Sequence, residues 1–236
     1  MGMLSVIPIL AYKESWNFFP KINAFVYANT FSNSYVGVGD LLIIPLSIII
    51  TFMIVGVIEE YMKHLSVRAT DDDKFMNIDD AIEYSIIAAL GFAFIENIMY
   101  FYFIWIHQGV DALFISFIFR SIFSTFAHIL FSGIYGYFYG IAHFAKPILE
   151  ESVITHKKFP LARILYKFAP RNAIKLFSRN KMLQGLLSAV ILHAFFNVML
   201  EMNWTILMTP FLFIGYAVLN HLFKKSVDQK EYGKMI

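Results

Sequence analysis

The sequence predicts an all-α fold, a polytopic bundle of transmembrane helices, and three observations carry that prediction. Apolar residues make up 58% of the chain and charged residues only 15%, against roughly 25% charged in a soluble domain. Five apolar runs reach the length of about 20 residues that the hydrocarbon layer demands, and because backbone groups in lipid must bond internally, such runs are helices. Basic residues gather in alternate linkers between those runs, the pattern of a chain woven through a membrane.

The first run covers about 41–62 and ends in VGVIEEYMKHL, where Glu59, Glu60 and Lys63 follow an unbroken apolar stretch. The second covers about 81–106, the third about 112–144, the fourth about 182–201 and the fifth about 204–223. The third is too long to stand upright in a bilayer, so it must tilt, bend or emerge. Gly133, Gly136 and Gly140 within it read as positions of close helix packing. Residues 1–40 form an N-terminal membrane-associated segment whose apolar patches, Met3 to Tyr12 and Ile22 to Tyr27, are too short or too interrupted to count as spans. Its opening MGMLSVIPIL lacks a basic region and a small-residue cleavage site, which points to an anchor or interfacial segment and not to a removed signal.

The helical domain thus occupies 41–223 and the tail 224–236. Lys63, Arg68 and Lys74 fall after the first run, nine basic residues lie from Lys146 to Lys181, and Lys224, Lys225, Lys230 and Lys234 lie in the tail. The turns His107 to Asp111 and Met202 to Asn203 have no Lys or Arg. This asymmetry places the linkers after the first and third runs, and the C-terminus, in the cytoplasm of a multi-pass cell-membrane protein. The linker 146–181 is amphipathic: Arg163, Lys167, Arg171, Lys175 and Arg179 recur every four residues among apolar side chains, so 157–181 is expected to lie on anionic headgroups. A net charge of +2 gives no footprint for a nucleic acid, and the absence of cysteine excludes disulfides, thiolate catalysis and Cys-bound metals.

Ionisable residues inside the spans carry the functional signal. Glu83, His143, Glu201 and His221 lie near helix ends and can reach water. Glu96 and His128 sit mid-helix, where a charge costs about 2.5–3.5 kcal/mol even on lenient scales. Counted along the helices at about 1.5 Å per residue, Glu60, Glu96, His128 and His193 overlap in depth, so they are expected to share one protein-lined wet cavity. Lys63 and Arg120 read equally as charge balance or as site residues, and Asn97 and Asn197 can bridge helices by hydrogen bonds. Such a cluster suits general acid/base chemistry, a zinc site or a proton pathway; the absence of an internal repeat weighs against a transporter built from duplicated halves.

Four motifs then carry a resemblance. EEYMK (Glu59 to Lys63), GFAFIEN (Gly91 to Asn97), RSIFSTFAH (Arg120 to His128) and HAFFN (His193 to Asn197) resemble, in order and on successive helices, the motifs of the PrsW family of intramembrane proteases, within the CAAX protease and bacteriocin-processing superfamily. Each motif alone is weak; the four in register span about residues 40–200 and are fairly specific. In the wider group the second motif usually ends in His, whereas Glu96 stands there as in the PrsW branch. The resemblance implies hydrolysis of a peptide bond in a membrane-associated protein, with Glu59 or Glu60 activating water, Glu96 positioning it, His128 supplied by the third motif, and His193 with Asn197 binding the oxyanion. Lys63 corresponds to the basic position and is expected to hold Glu59 ionised; Asn97 and Arg120 are supporting residues. No metal is favoured, and the alternative is zinc on Glu60, Glu96, His128 and His193. Members are associated with cleaving membrane-anchored anti-sigma factors from the extracytoplasmic side, whereas the helix lengths put this cluster nearer the cytoplasm. The rival readings are a proton-coupled transporter and a non-catalytic scaffold like the anterior-pharynx-defective subunit of gamma-secretase.

Overall fold

The computed structural model describes residues 2–38, 42–70, 72–156 and 159–227; part of the expected tail, including Lys230 and Lys234, lies outside them. The N-terminal segment breaks into short pieces because Pro20, Asn and Ser residues interrupt its apolar patches. A 3-10 turn (Gly2–Ser5) leads into α1 (Val6–Ser15), and Pro20 opens a second 3-10 turn before α2 (Ala24–Ala28). The Asn23 side chain caps α2 by accepting from the Phe25 amide. Tyr12 Oη donates to the Ile22 carbonyl at 2.7 Å, and Trp16 packs edge-on against both Tyr12 and Phe25, so α1 and α2 are tied together. An antiparallel pair, β1 (Tyr35–Val38) and β2 (Leu42–Pro45), follows and is a small departure from the all-helical expectation.

Long helices make up the rest. They are α3 (Leu46–Thr70), α4 (Ile78–Gln108), α5 (Val110–Phe119) running through a π-helical turn (Arg120–Ser124) into α6 (Thr125–His143), α7 (Ala145–Thr155), α8 (Pro160–Phe168), α9 (Pro170–Glu201) and α10 (Thr205–Val227). Among the described residues, four helices are long and apolar enough to cross a membrane: α4, the rod Val110–His143, α9 and Thr205–Lys225 of α10. The protein is therefore an all-α polytopic membrane bundle, with four spans by this measure where five were expected. The helix that falls short is α3, because Glu59, Glu60 and Lys63 interrupt its apolar run. It also continues to Thr70, beyond the expected end near 62, so Lys63 belongs inside the helix and not in a cytoplasmic linker. Similarly, α9 begins at Pro170, well before 182, since a proline at the first helical position needs no amide partner. The amphipathic linker is helical on both sides of that proline, and its apolar Leu161 and Phe168 are 82% and 85% exposed.

Helix α6 forms the centre, buried on most of its surface between α4 and α9. Its glycines set that spacing: a Cβ at Gly136 would lie 2.7 Å from Ala81 O and Ile82 Cα of α4, and one at Gly185 of α9 would lie 2.7 Å from Phe138 Cβ. Helix α3 packs against α9, and α10 against α6. The outward faces of α4 carry exposed Ile87, Phe94, Ile98, Phe103 and Trp105, the apolar surface that a lipid environment accepts.

Candidate functional site

The site begins on α3. Glu60 and Lys63 lie one turn apart and are both buried; Lys63 Nζ donates to Glu60 Oε1 at 2.5 Å. Lys63, expected against Glu59, therefore pairs with Glu60 instead, because the three-residue spacing brings those two side chains together here. The same ammonium lies 3.2 Å from His128 Nδ1 and 5.1 Å from the centroid of the Phe92 ring. A lysine only donates, so His128 Nδ1 must accept, and the ring's proton then sits on Nε2, which donates to Glu96 Oε2 at 3.1 Å. The other oxygen of Glu96 takes Arg120 Nη2 at 3.0 Å. One chain of contacts thus runs Glu60, Lys63, His128, Glu96, Arg120 across three helices.

The π-helical turn explains how Arg120 and His128 reach the same carboxylate. An uninterrupted α-helix turns about 100° per residue, which leaves two side chains eight apart about 80° out of line. One extra residue absorbed in a π turn brings them to within about 20°. Arg120 is held further by Asn97, whose Oδ1 accepts from Arg120 Nε at 3.3 Å while its Nδ2 donates to Thr125 Oγ1 at 3.1 Å. The guanidinium also stacks on Tyr100, 3.8 Å from the ring centroid.

The fourth helix closes the site from the other side. His193 Nδ1 donates to Glu60 Oε1 at 2.8 Å, its ring lies 5.2 Å from that of His128, and Phe131 stacks on it at 5.4 Å. With Nδ1 committed to Glu60, Nε2 faces Glu59 Oε2 at 3.6 Å, too long for a hydrogen bond. Glu59 Oε2 is itself buried and has no hydrogen-bond partner. A buried carboxylate oxygen left unpaired is costly, which sets Glu59 apart from the paired Glu60 and Glu96. Asn197, one turn beyond His193, is half-buried, and its amide joins no side-chain hydrogen bond among the described residues. The structure therefore gathers Glu59, Glu60, Glu96, His128 and His193 with Lys63, Asn97 and Arg120, while Asn197 lies alongside them on α9.

A family model described as PrsW family intramembrane metalloprotease matches residues 16–222. The chain belongs to the PrsW family. Protease PrsW of Geobacillus kaustophilus (strain HTA426) is 35% identical over 96 residues, 40% of this chain and 39% of the relative, so the chain aligns with about two fifths of that curated relative's length. No solved structure matches the chain. The match to the PrsW model starts at Trp16, and so takes in much of the N-terminal segment that the four motifs leave uncovered.

The description of the PrsW family as metalloproteases calls for a test of the residues. One ligand atom each from Glu59, His128 and His193 lie within 4.8 Å of one another, and a set of two imidazoles and a carboxylate is a common zinc donor set. His193 also donates its other ring nitrogen to a carboxylate, as metal-bound histidines do. Glu59 Oε2 and His193 Nε2 fit a divalent cation as they stand, whereas His128 would first have to release Lys63 from Nδ1 or Glu96 from Nε2. The set differs from the one expected, because Glu60 and Glu96 are taken by Lys63 and Arg120. Sequence reasoning also passed over Phe131 and Thr125, which orient His193 and Asn97. Phe131 follows His128 by three residues, a helical spacing that marks a shared face; no such spacing singles out Thr125.

Proposed function

We propose that this chain is an intramembrane endopeptidase that hydrolyses a peptide bond of a membrane-associated protein substrate in the cell membrane. The observation that carries the reading is Glu59 Oε2, buried and unpartnered beside His193 Nε2. Glu60 is the poorer candidate for the base, since Lys63 and His193 both hold its Oε1. In this reading Glu59 takes a proton from water while the water oxygen bonds to the scissile carbonyl carbon, and the proton passes to the leaving amide nitrogen as the C–N bond breaks. Asn197 Nδ2 and a protonated His193 Nε2 donate to the oxyanion, with Glu60 orienting the imidazole through Nδ1. Glu96 and Arg120 fix His128, and the surrounding apolar residues keep bulk water out, which strengthens each of these contacts.

A second reading rests on the clustering of Glu59, His128 and His193. Those three would hold a zinc ion, which when bound polarises the carbonyl and activates water. The two readings differ at His193 Nε2, where the oxyanion role needs a proton and the ligand role a bare nitrogen, and at His128, which the ligand role must free from Lys63 or Glu96. Outside the site, we assign the basic face within 157–181 to anionic headgroups and the C-terminus to the cytoplasm.

The test uses the purified full chain in lipid vesicles with a membrane-tethered peptide. Glu59→Gln should stay folded and lose cleavage. Proton-linked flux without cleavage would instead support a transporter. Metal analysis after mild chelation, on wild type and Glu59→Gln, separates the two chemistries: a bound equivalent of zinc that Glu59→Gln lacks favours the second.

A further inference from the structure

Among the described residues of the N-terminal half, two buried polar side-chain atoms have no partner, Glu59 Oε2 on α3 and Trp16 Nε1 just after α1. Both residues line the same cavity of about 170 Å³, together with Ile9, Tyr12, Lys13, Phe25, Val55 and Ile58. Tyr12 and Ile58 also line a larger apolar groove of about 560 Å³ between α1, α2 and α3, whose floor includes Ile50, Met53, Ile54 and Val57. The groove and the cavity are therefore neighbours that share Tyr12 and Ile58, with Glu59 lining the cavity. A tryptophan near a membrane boundary commonly turns its N–H to headgroups. Trp16 does not: its Nε1 is buried with its ring wedged between Tyr12 and Phe25, so a partner reaches the N–H only when one of those rings shifts.

We propose that α1 and α2 form one wall of the substrate channel: the apolar groove receives the membrane-embedded segment of the peptide, and Trp16 Nε1 donates to a peptide carbonyl lodged in the cavity beside Glu59. This rests on the protease reading. An unwound peptide unit in lipid must find partners for its N–H and C=O, and Trp16 supplies a donor where one carbonyl needs it. The cavity is close in size to one of about 150 Å³ that takes a single benzene, so it holds one apolar side chain next to that carbonyl. The groove wall, lined by Pro8, Ile50, Met53 and Val57, selects an apolar segment and not a soluble peptide.

The experiment uses the full chain in phosphatidylcholine nanodiscs and a synthetic Leu/Ala-rich single-span peptide with a central Gly-Ser pair. Binding is read first, in Glu59→Gln, by a photo-reactive p-benzoylphenylalanine at Met53 or, as control, at Phe213, which lies on α10 in a different apolar groove. Saturable crosslinking at Met53, absent at Phe213 and abolished by Val57→Trp, is expected. Equal crosslinking at both positions, or none at Met53, overturns the channel whatever the cleavage result. Cleavage is read second: Trp16→Phe keeps the ring and should raise KM about fivefold, the loss of one hydrogen bond, with kcat unchanged. An unaltered KM removes Trp16 from the proposal. Crosslinking at Met53 without Glu59-dependent cleavage would sink the protease reading and leave the groove as a binding site; Glu59-dependent cleavage without that crosslink would do the reverse.

Discussion

Lys63 is the residue on which the site's electrostatics turn. It neutralises Glu60, fixes the tautomer of His128 and lies against Phe92, all from a buried position. Removing its partner leaves a buried ammonium uncompensated. Glu60→Gln should therefore cost about 3–5 kcal/mol in stability, while Glu60→Gln combined with Lys63→Met should regain much of that loss without regaining activity; denaturant titration in detergent and a cleavage assay check the two halves. Arg120→Lys should lower activity through Glu96, since lysine cannot both reach the carboxylate and donate to Asn97 and stack on Tyr100, and circular dichroism should show the helices intact. The residues themselves were legible from their types at intramembrane positions. Which acid lysine would choose was not, because Glu59 and Glu60 are both within one turn of Lys63 and only the packing of α9, which brings His193 onto Glu60, separates them.

Between elements, the π-helical turn at Arg120–Ser124 is the device that aligns two motif residues on one face. Deleting Ile122 should convert the turn to regular α-helix and leave Arg120 and His128, then seven apart, still within about 20° of one line, so cleavage should persist; inserting one alanine after Ile122 should instead turn Arg120 about 100° away from His128 and abolish cleavage, with helix content unchanged by circular dichroism. Gly136→Leu should destabilise by about 1–3 kcal/mol or more, measured by thermal unfolding, because Ala81 O and Ile82 Cα leave no room for a Cβ. The glycines and the long third run were readable from spacing. The π turn was not, since RSIFSTFAH has the same apolar pattern with or without one extra residue in the turn. Likewise the first run, expected as a helix over about 41–62, was started too early, since Leu42–Pro45 is strand β2 and α3 begins at Leu46, and cut short at its charged part, as hydropathy ends a helix where burial of charge in a site does not.

At the scale of the molecule, membership of the PrsW family and the four motif-bearing helices agree, and the polar groups form one connected network inside an apolar shell. The expected cytoplasmic tail can be checked by C-terminal reporter fusions, where fluorescence of a cytoplasm-dependent reporter is expected and periplasm-dependent activity would reverse the orientation. The shape of the N-terminal wall escaped sequence reasoning because it consists of short turns without periodicity, tied by ring contacts such as Trp16 on Phe25. The central claim is that Glu59 and His193 act as one catalytic unit. It is tested most directly by a double-mutant cycle in kcat/KM for Glu59→Gln and His193→Ala on a membrane-tethered peptide. The account predicts that the double variant is no slower than the worse single one. Losses that simply multiply, or a Glu59→Gln enzyme as fast as wild type, would contradict it.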